Sequence, residues 1–355
     1  MIGLAGLELV RKTVIGLAGL GLVSSWARVG VSPRGLGLVS RQCQQLYYSC
    51  ALAKELLPQP HKGILMGKTG LLLVGHGSQS NDGVSEISSL VTSVRAHLPE
   101  VEVELGFLEL AQPGAIDSGL ELLSRNLDRL VVVPLMLSTG GHVKSDVPAV
   151  ALHLREQAKN IEVLYGRSLG IDFDLLELAK NKIDQFKSSA DSLLVISRGT
   201  SDPDSNADTF KIARLLCEMT NFQIFEVGFS GITWPTVQDA LGLLVGKGSK
   251  SIVAFAWFLG TGILIERMQQ DFEIFEASSN VPVYNAGYFG PEARISELIV
   301  ERFYEALDGD IRMNCDMCAY RRPFAGLEDR VGLPIGVGHS GLAAEHSHIS
   351  LGHRH

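Results

Sequence analysis

The feature that most constrains the fold of this chain is an internal repeat at a constant offset of 122 residues. A single offset without gaps aligns the two copies from residue 71 to beyond residue 260. The aligned pairs are Leu71–Ser78 with Leu193–Thr200, Gly106-Phe107 with Gly228-Phe229, Pro113 with Pro235, and Val131–Thr139 with Val253–Thr261. Self-similarity over such a length indicates a duplicated domain.

The two copies differ at residues that carry chemistry. His76 of the first copy is replaced by Arg198 in the second, and His142 is replaced by Leu264. The apolar segments around these positions are present in both copies. We therefore expect two domains of one architecture that share a single active site, with its reactive groups in the first copy.

Apolar runs alternate with amphipathic stretches from residue 70 onward. The eight apolar runs cover 71–75, 101–107, 130–136, 161–165, 192–197, 223–229, 251–258 and 281–286. The stretches between them have the periodicity of helices, and near-continuous apolar strands are typical of a parallel sheet that is buried on both faces. The sequence predicts two doubly wound α/β domains, at 70–190 and 191–308, which face a shared cleft.

The two ends of the chain differ from this core. Residues 1–65 are basic, poor in acidic residues and rich in Gly-Leu pairs, which predicts a poorly ordered extension, with a transit-type leader as the alternative. Residues 309–355 contain Cys315, Cys318 and five of the ten histidines, without helical or strand periodicity. We expect this last segment to be a flexible tail.

Composition excludes several classes of function. The net charge of −8 argues against nucleic acid or an anionic membrane surface as the main partner. The five cysteines are too unevenly placed for a disulfide framework, which favours a reducing, cytoplasmic location. The Gly-rich turns match neither the dinucleotide-binding fingerprint nor the P-loop, so a nucleotide-binding enzyme is not predicted.

Several motifs together resemble those of a known enzyme family. The three motifs Gly75–Ser78, Phe107–Pro113 and Gly140–Asp146, followed by a Met-x-Cys-x-x-Cys segment and a His-rich end, are similar to the class II tetrapyrrole metal chelatases. The resemblance covers the chain from about residue 70 to its end and is greatest to the long, two-domain CbiX-type sirohydrochlorin chelatases. It implies a lyase that inserts Co²⁺ or Fe²⁺ into sirohydrochlorin, without ATP, for the synthesis of cobalamin or sirohaem.

Three side chains are the candidate metal ligands. His76, Glu109 and His142 follow the first three predicted strands, so that they can converge above the carboxyl edge of one sheet. Neutral imidazole binds Co²⁺ and Fe²⁺ well and can also take a proton near neutral pH. We expect His76 to be a metal ligand and proton acceptor, His142 to be the second ligand, and Glu109 to be a third ligand or a proton relay.

Three further polar residues are candidates for binding the carboxylates of sirohydrochlorin. Ser78 and Ser138 lie close to strand ends and can donate hydrogen bonds. Arg198 can hold a carboxylate in a two-pronged, charge-assisted contact. The alternative for Arg198 is an ion pair with Asp202 or Asp204 that orders its own loop.

Cys315 and Cys318 have the spacing that the resemblance associates with an iron–sulfur centre. Two thiolates cannot complete such a centre. The remaining ligands would be Cys217, the histidines of the tail, or the same cysteine pair of a second subunit, which would make the protein a homodimer. Core packing is the alternative role for Cys217, because it lies in an apolar predicted helix.

The residues leave two alternative functions. The first is sirohydrochlorin ferrochelatase, because His and Glu bind Fe²⁺ as well as Co²⁺, although the His-rich tail favours cobalt. The second is a bilobal metal- or tetrapyrrole-binding protein or metallochaperone, which would use the same cleft without catalysis. The set of His and Glu side chains at strand ends favours the enzyme.

Overall fold

The computed structural model describes residues 67–309, which form eight β-strands and eight α-helices. Each predicted strand and helix is confirmed within this part of the chain. The predictions for residues 1–65, Cys315, Cys318 and the His-rich segment concern residues outside it.

The strands form two parallel sheets of four strands each. The first sheet has the order β2-β1-β3-β4 and the second has the order β6-β5-β7-β8. The strands are β1 Thr69–Gly75, β2 Glu102–Phe107, β3 Arg129–Pro134, β4 Glu162–Tyr165, β5 Ser192–Ser197, β6 Ile224–Phe229, β7 Ile252–Ala256 and β8 Val283–Asn285. The repeat in the sequence is therefore a repeat of the whole doubly wound topology, as predicted.

Seven helices connect the successive strands, and an eighth follows β8. They are α1 Asn81–His97, α2 Ala115–Leu123, α3 Val147–Gln157, α4 Phe173–Asp184, α5 Pro203–Thr220, α6 Val237–Gly246, α7 Ile263–Ser279 and α8 Ala293–Leu307. A π-helical turn, His142–Asp146, leads into α3 and has no counterpart in the sequence prediction. None of the helices in residues 67–309 is long and apolar enough to span a bilayer.

Polar side chains just before the helices explain where several of them begin. Asp172 accepts a hydrogen bond from the first turn of α4, and Asp202 does the same for α5. Thr236 and Asp239 exchange hydrogen bonds in a capping box at the start of α6. Such caps satisfy backbone N–H groups that have no partner inside the helix.

The core lies on both faces of each sheet. Leu71, Leu72, Leu73 and Val74 of β1 are all fully buried, which explains their uninterrupted apolar run. On one face of the first sheet, alternate strand residues pack against α2 and α3. The equivalent face of the second sheet packs against α6 and α7.

The last helix of each repeat packs on the sheet of the other repeat. Helix α4 contacts β7 and α5, whereas α8 contacts β3, β4 and α1. Ion pairs join the exchanged helices: Arg302 contacts Asp172 at 2.8 Å, and Lys182 contacts Glu292 at 2.9 Å. The exchange links the two lobes through their cores, so that they form an intertwined pair.

The carboxyl edges of the two sheets face each other. Thr139, which follows β3, donates a hydrogen bond to Asp208 of α5 over 3.1 Å. On the opposite side, the backbone N–H of Thr261, which follows β7, donates to Glu86 of α1 over 2.7 Å. The cleft between the lobes is therefore lined by the strand ends of both repeats.

Candidate metal centre

The three predicted ligands lie together at the carboxyl edge of the first sheet. His76 comes one residue after β1, Glu109 two residues after β2, and His142 eight residues after β3. Their candidate ligand atoms all lie within 4.8 Å of one another, and all three side chains are partly buried. No other group of three His, Cys, Asp or Glu side chains within residues 67–309 comes together in this way. Their role as metal ligands stays a prediction.

The ring of His76 has a polar contact at each of its two nitrogens. Its Nδ1 lies 3.2 Å from the carbonyl oxygen of Gly77, to which it can donate. Its Nε2 lies 3.0 Å from Glu109 Oε1 and 2.6 Å from Arg198 Nη1. The pKa of His76 is lowered to about 4, chiefly by burial and then by the charges of Arg198 and His142. The imidazole is therefore neutral near pH 7, and its Nε2 lone pair accepts a hydrogen bond from Arg198, which a metal ion would have to displace.

Gly77 allows the ends of β1 and β2 to approach. Its φ is +101°, and a Cβ at this position would lie 1.7 Å from the carbonyl oxygen of Glu109. The backbone N–H of Glu109 donates to the carbonyl oxygen of His76 over 3.1 Å. No side chain larger than hydrogen fits here, which explains the glycine beside the histidine.

His142 is the first residue of the π-helical turn that precedes α3. Its Nδ1 lies 2.5 Å from Asp146 Oδ2, four residues later. The rings of His76 and His142 meet edge to face, with centroids 4.7 Å apart. A carboxylate on Nδ1 fixes the tautomer and orientation of the ring and leaves Nε2 for a metal. Turns of this kind often occur at functional sites.

Asp146 and Lys144 belong to the site but were not predicted from the sequence. Asp146 could have been found from its spacing, because a carboxylate four residues after a candidate histidine ligand lies on the same side of a helical turn. Lys144 reaches the second lobe, where its Nζ lies 2.7 Å from Asp202 Oδ2 and 2.8 Å from Asp204 Oδ2. No local pattern in the sequence indicates this contact.

The structure separates the two interpretations of Arg198. Its guanidinium contacts the ring of His76, whereas Asp202 and Asp204 accept hydrogen bonds from Lys144. The interpretation in which Arg198 pairs with these carboxylates is therefore wrong. Its role as an anchor for a substrate carboxylate stays a prediction.

The two candidate serines have different surroundings. Ser78 is half-buried, and its Oγ accepts a hydrogen bond from the backbone N–H of Ser80 over 3.0 Å. Its hydroxyl hydrogen can still be donated elsewhere. Ser138 is exposed in the segment between β3 and the His142 turn. The roles of both residues in binding substrate stay predictions.

Exposed apolar side chains follow the strands of both lobes. Leu110, Ile232 and Trp234 lie in the segments after β2 and β6, and Ile263 begins α7 after β7. Ile232 is 80% exposed and Trp234 is 71% exposed, which is unusual for side chains of this size. All four side chains lie in or just after segments that follow the carboxyl ends of strands.

Cys217 is buried in α5. Burial raises the pKa of its thiol to about 11, and Sγ donates to the carbonyl oxygen of Phe222. A neutral, hydrogen-bonded thiol in the core fits the packing role and argues against ligation of a cluster.

The sequence of this chain matches a protein family and several characterised relatives. The CbiX family profile matches residues 70–186 and 192–306, one match for each repeat. The sirohydrochlorin cobaltochelatase of Priestia megaterium is 32% identical over 259 residues, which are 71% of this chain and 84% of that protein. The sirohydrochlorin ferrochelatase of Bacillus subtilis (strain 168) is 26% identical over 241 residues, which are 67% of this chain and 92% of that protein.

A solved structure shares the fold. The crystal structure of the sirohydrochlorin chelatase SirB from Bacillus subtilis subspecies spizizenii, in complex with cobalt, superposes with a TM-score of 0.59 and 23% identity. The match covers 68% of this chain and 96% of that one. The family match to each of the two repeats shows that this chain belongs to the CbiX family.

Proposed function

We propose that the protein inserts a divalent metal ion, with Co²⁺ favoured, into sirohydrochlorin without ATP, as a step of cobalamin synthesis. The observation that carries this proposal is the convergence of His76, Glu109 and His142, whose candidate ligand atoms lie within 4.8 Å of one another. Membership of the CbiX family and the likeness to cobaltochelatases and ferrochelatases support it.

The three side chains suit an ion that must be released. His76 and His142 would bind the metal through Nε2, and Glu109 would add one oxygen. Such a set leaves coordination positions free, so that the nitrogens of the macrocycle can take over the ion in steps. A site that enclosed the metal completely would hold it too tightly to pass it on.

Insertion replaces two pyrrole N–H protons by one divalent cation, so two protons must leave the ring. The Glu109 carboxylate, 3.0 Å from His76 Nε2, is placed to accept one of them. The lowered pKa of His76 favours its role as ligand over its role as proton acceptor at neutral pH. The second proton would leave to water in the cleft.

The cleft between the two lobes would bind the macrocycle. Ser78, Ser138 and Arg198 are the proposed partners of its carboxylates, and the apolar side chains after β2 and β6 would pack against its flat faces. A ligand with an apolar ring and a charged rim matches this combination of surfaces.

The choice of metal separates two closely related functions. Fe²⁺ insertion would make the protein a ferrochelatase for sirohaem, which the likeness to the Bacillus subtilis ferrochelatase supports. The iron–sulfur centre at Cys315 and Cys318, the homodimer through these cysteines and a cytoplasmic location stay predictions from the sequence.

An anaerobic insertion assay tests the proposal. Metal-free sirohydrochlorin is mixed with the protein and with Co²⁺ or Fe²⁺, and the change in its absorbance is followed. We expect faster insertion of Co²⁺ than in the absence of protein. A protein that binds metal or macrocycle but accelerates insertion of neither ion would be a binding protein or metallochaperone.

A further inference from the structure

Lys144 joins the turn that carries His142 to the second lobe. Its ammonium lies between Asp202 and Asp204, at 2.7 and 2.8 Å, and its side chain is only 8% exposed. The side chain of Asp202 is 7% exposed and that of Asp204 is 34% exposed. An ammonium withdrawn from water between two carboxylates makes a directed, charge-assisted contact.

The carboxylates are themselves fixed in place. Asp202 caps α5, where its Oδ1 accepts from the backbone N–H of Asp204 over 3.1 Å. The backbone N–H of Asp202 donates to Thr200 Oγ1 over 2.8 Å. Oδ2 of Asp202 is thus directed towards Lys144 by a rigid helix start.

Contacts with neighbouring segments hold the conformation of the turn His142–Asp146. It follows Gly140 and Gly141, whose backbones have little intrinsic conformational preference. Within the first lobe, the Tyr165 hydroxyl donates to the carbonyl oxygen of Val143 over 3.0 Å. The Lys144 contact holds the same turn from the opposite lobe.

This contact occurs on one side of the cleft only. The residues equivalent to Lys144, Asp202 and Asp204 are Glu266, Ser80 and Asp82, which offer no cation. On that side, Glu86 instead accepts hydrogen bonds from the Thr261 backbone and the Tyr288 hydroxyl. Of these two equivalent contacts between a post-strand segment and the opposite lobe, only the one beside the turn that bears a candidate ligand is an ion pair. The other ion pairs described above join the exchanged helices α4 and α8.

We propose that Lys144 is a positioning residue, and that its ion pair with Asp202 and Asp204 holds His142 at metal-binding distance from His76. The second repeat thereby takes part in the reaction although it has no ligands of its own. This inference rests on the proposed metal centre.

Direct Co²⁺ binding tests the inference without any macrocycle. Lys144→Met removes the ammonium but keeps the length of the side chain, and Lys144→Arg keeps the charge. We expect Lys144→Met to raise the Kd for Co²⁺ about tenfold and to change the visible absorption of the bound ion. Lys144→Arg should restore affinity and spectrum most of the way. In insertion assays, the KM for the metal should rise in Lys144→Met while the KM for sirohydrochlorin stays unchanged.

Glu86→Gln is the matched control, because it weakens the contact between the lobes on the side without a ligand. It should bind Co²⁺ as the wild type does. Equal losses in Glu86→Gln and Lys144→Met would show a general effect of lobe contact and overturn the inference. If Lys144→Met does not fold, as judged by circular dichroism, Asp204→Asn replaces it, with the same expected direction of change.

Two outcomes of the Co²⁺-binding measurements separate the positioning role of Lys144 from the assignment of the metal ligands. Co²⁺ binding that is normal in folded Lys144→Met but weakened in His142→Ala would overturn only the positioning role. Co²⁺ binding that is normal in His142→Ala would overturn the metal centre itself.

Discussion

The two repeats have the same sheet topology but differ at the positions that surround the candidate metal centre. In each repeat these positions follow the strands that meet at the cleft. The equivalent pairs, first repeat before second, are His76 and Arg198, Glu109 and Gly231, His142 and Leu264, Lys144 and Glu266, and Asp146 and Met268. A duplicated scaffold can thus keep its topology while one copy lacks the reactive groups of the other.

Two of the changed positions in the second repeat are fitted to their own surroundings. Met268 of α7 is 1% exposed and belongs to the hydrophobic core of the second lobe. A Cβ at Gly231 would lie 2.4 Å from the carbonyl oxygen of Arg198, so that this loop position admits only glycine without a rearrangement. Restoring the ligands of the first repeat would therefore disturb the second lobe.

Equivalent residues of the two repeats contact each other at two places. His76 contacts Arg198, its own counterpart, and Asp174 contacts Arg294, which is its counterpart at the offset of 120 residues that applies to α4 and α8. Residues related by an approximate two-fold axis touch one another only near that axis. The axis therefore passes beside the candidate metal centre, because His76 contacts its own counterpart there.

Loss of a histidine ligand should have the largest effect. We expect His76→Ala and His142→Ala each to lower the rate of metal insertion by at least about 100-fold, because each removes one of three candidate ligands. Leu264→Ala, at the position equivalent to His142, is the control and should retain most of the activity. Insertion assays on variants whose folding is checked by circular dichroism decide the outcome. Near-normal insertion by either histidine variant would contradict the assignment.

Loss of the carboxylate that orients His142 should have an intermediate effect. We expect Asp146→Ala to weaken Co²⁺ binding by about 10- to 100-fold, since the ring of His142 loses the partner of its Nδ1. Asp146→Asn keeps a hydrogen-bond acceptor and should lose less. Titration with Co²⁺ measures both affinities. An unchanged Kd for Co²⁺ in Asp146→Ala would contradict the role of Asp146 in orienting the ring of His142.

Arg198→Ala should have the smallest effect, and it bears on the role of the second repeat. We expect the KM for sirohydrochlorin to rise about tenfold or more, as for the loss of a charged hydrogen bond of about 1.5–3 kcal/mol. Metal binding should tighten rather than weaken, because the guanidinium no longer occupies His76 Nε2. Arg214→Ala, an exposed arginine of α5, is the control. Weaker metal binding with an unchanged KM for the macrocycle would contradict the anchoring role.

Much of the architecture could be predicted from local patterns. The apolar runs and the helical periodicity between them located all eight strands and all eight helices of residues 67–309, because burial on both faces requires such runs. The π-helical turn at His142–Asp146 was missed, since it differs from an α-helix by a backbone hydrogen-bond pattern that side-chain periodicity does not encode.

The sequence by itself determined the duplication, the parallel sheets and the convergence of His76, Glu109 and His142. These follow from the offset between the copies and from the position of each residue in the segment after a strand, both of which are read along the chain. Periodicity and strand ends are local properties, so they do not depend on what lies across the cleft.

Only the tertiary structure decided which groups meet between the repeats. The exchange of α4 and α8, the contact of Arg198 with His76 and the pairing of Lys144 with Asp202 all join residues that are far apart in sequence. Nearby charges such as Asp202 and Arg198 offered a plausible local pair, but the folded chain placed a lysine of the other lobe between the carboxylates. The reason is physical: the partner of a charged side chain is set by which groups share a desolvated space, and that space exists only once the two lobes are packed.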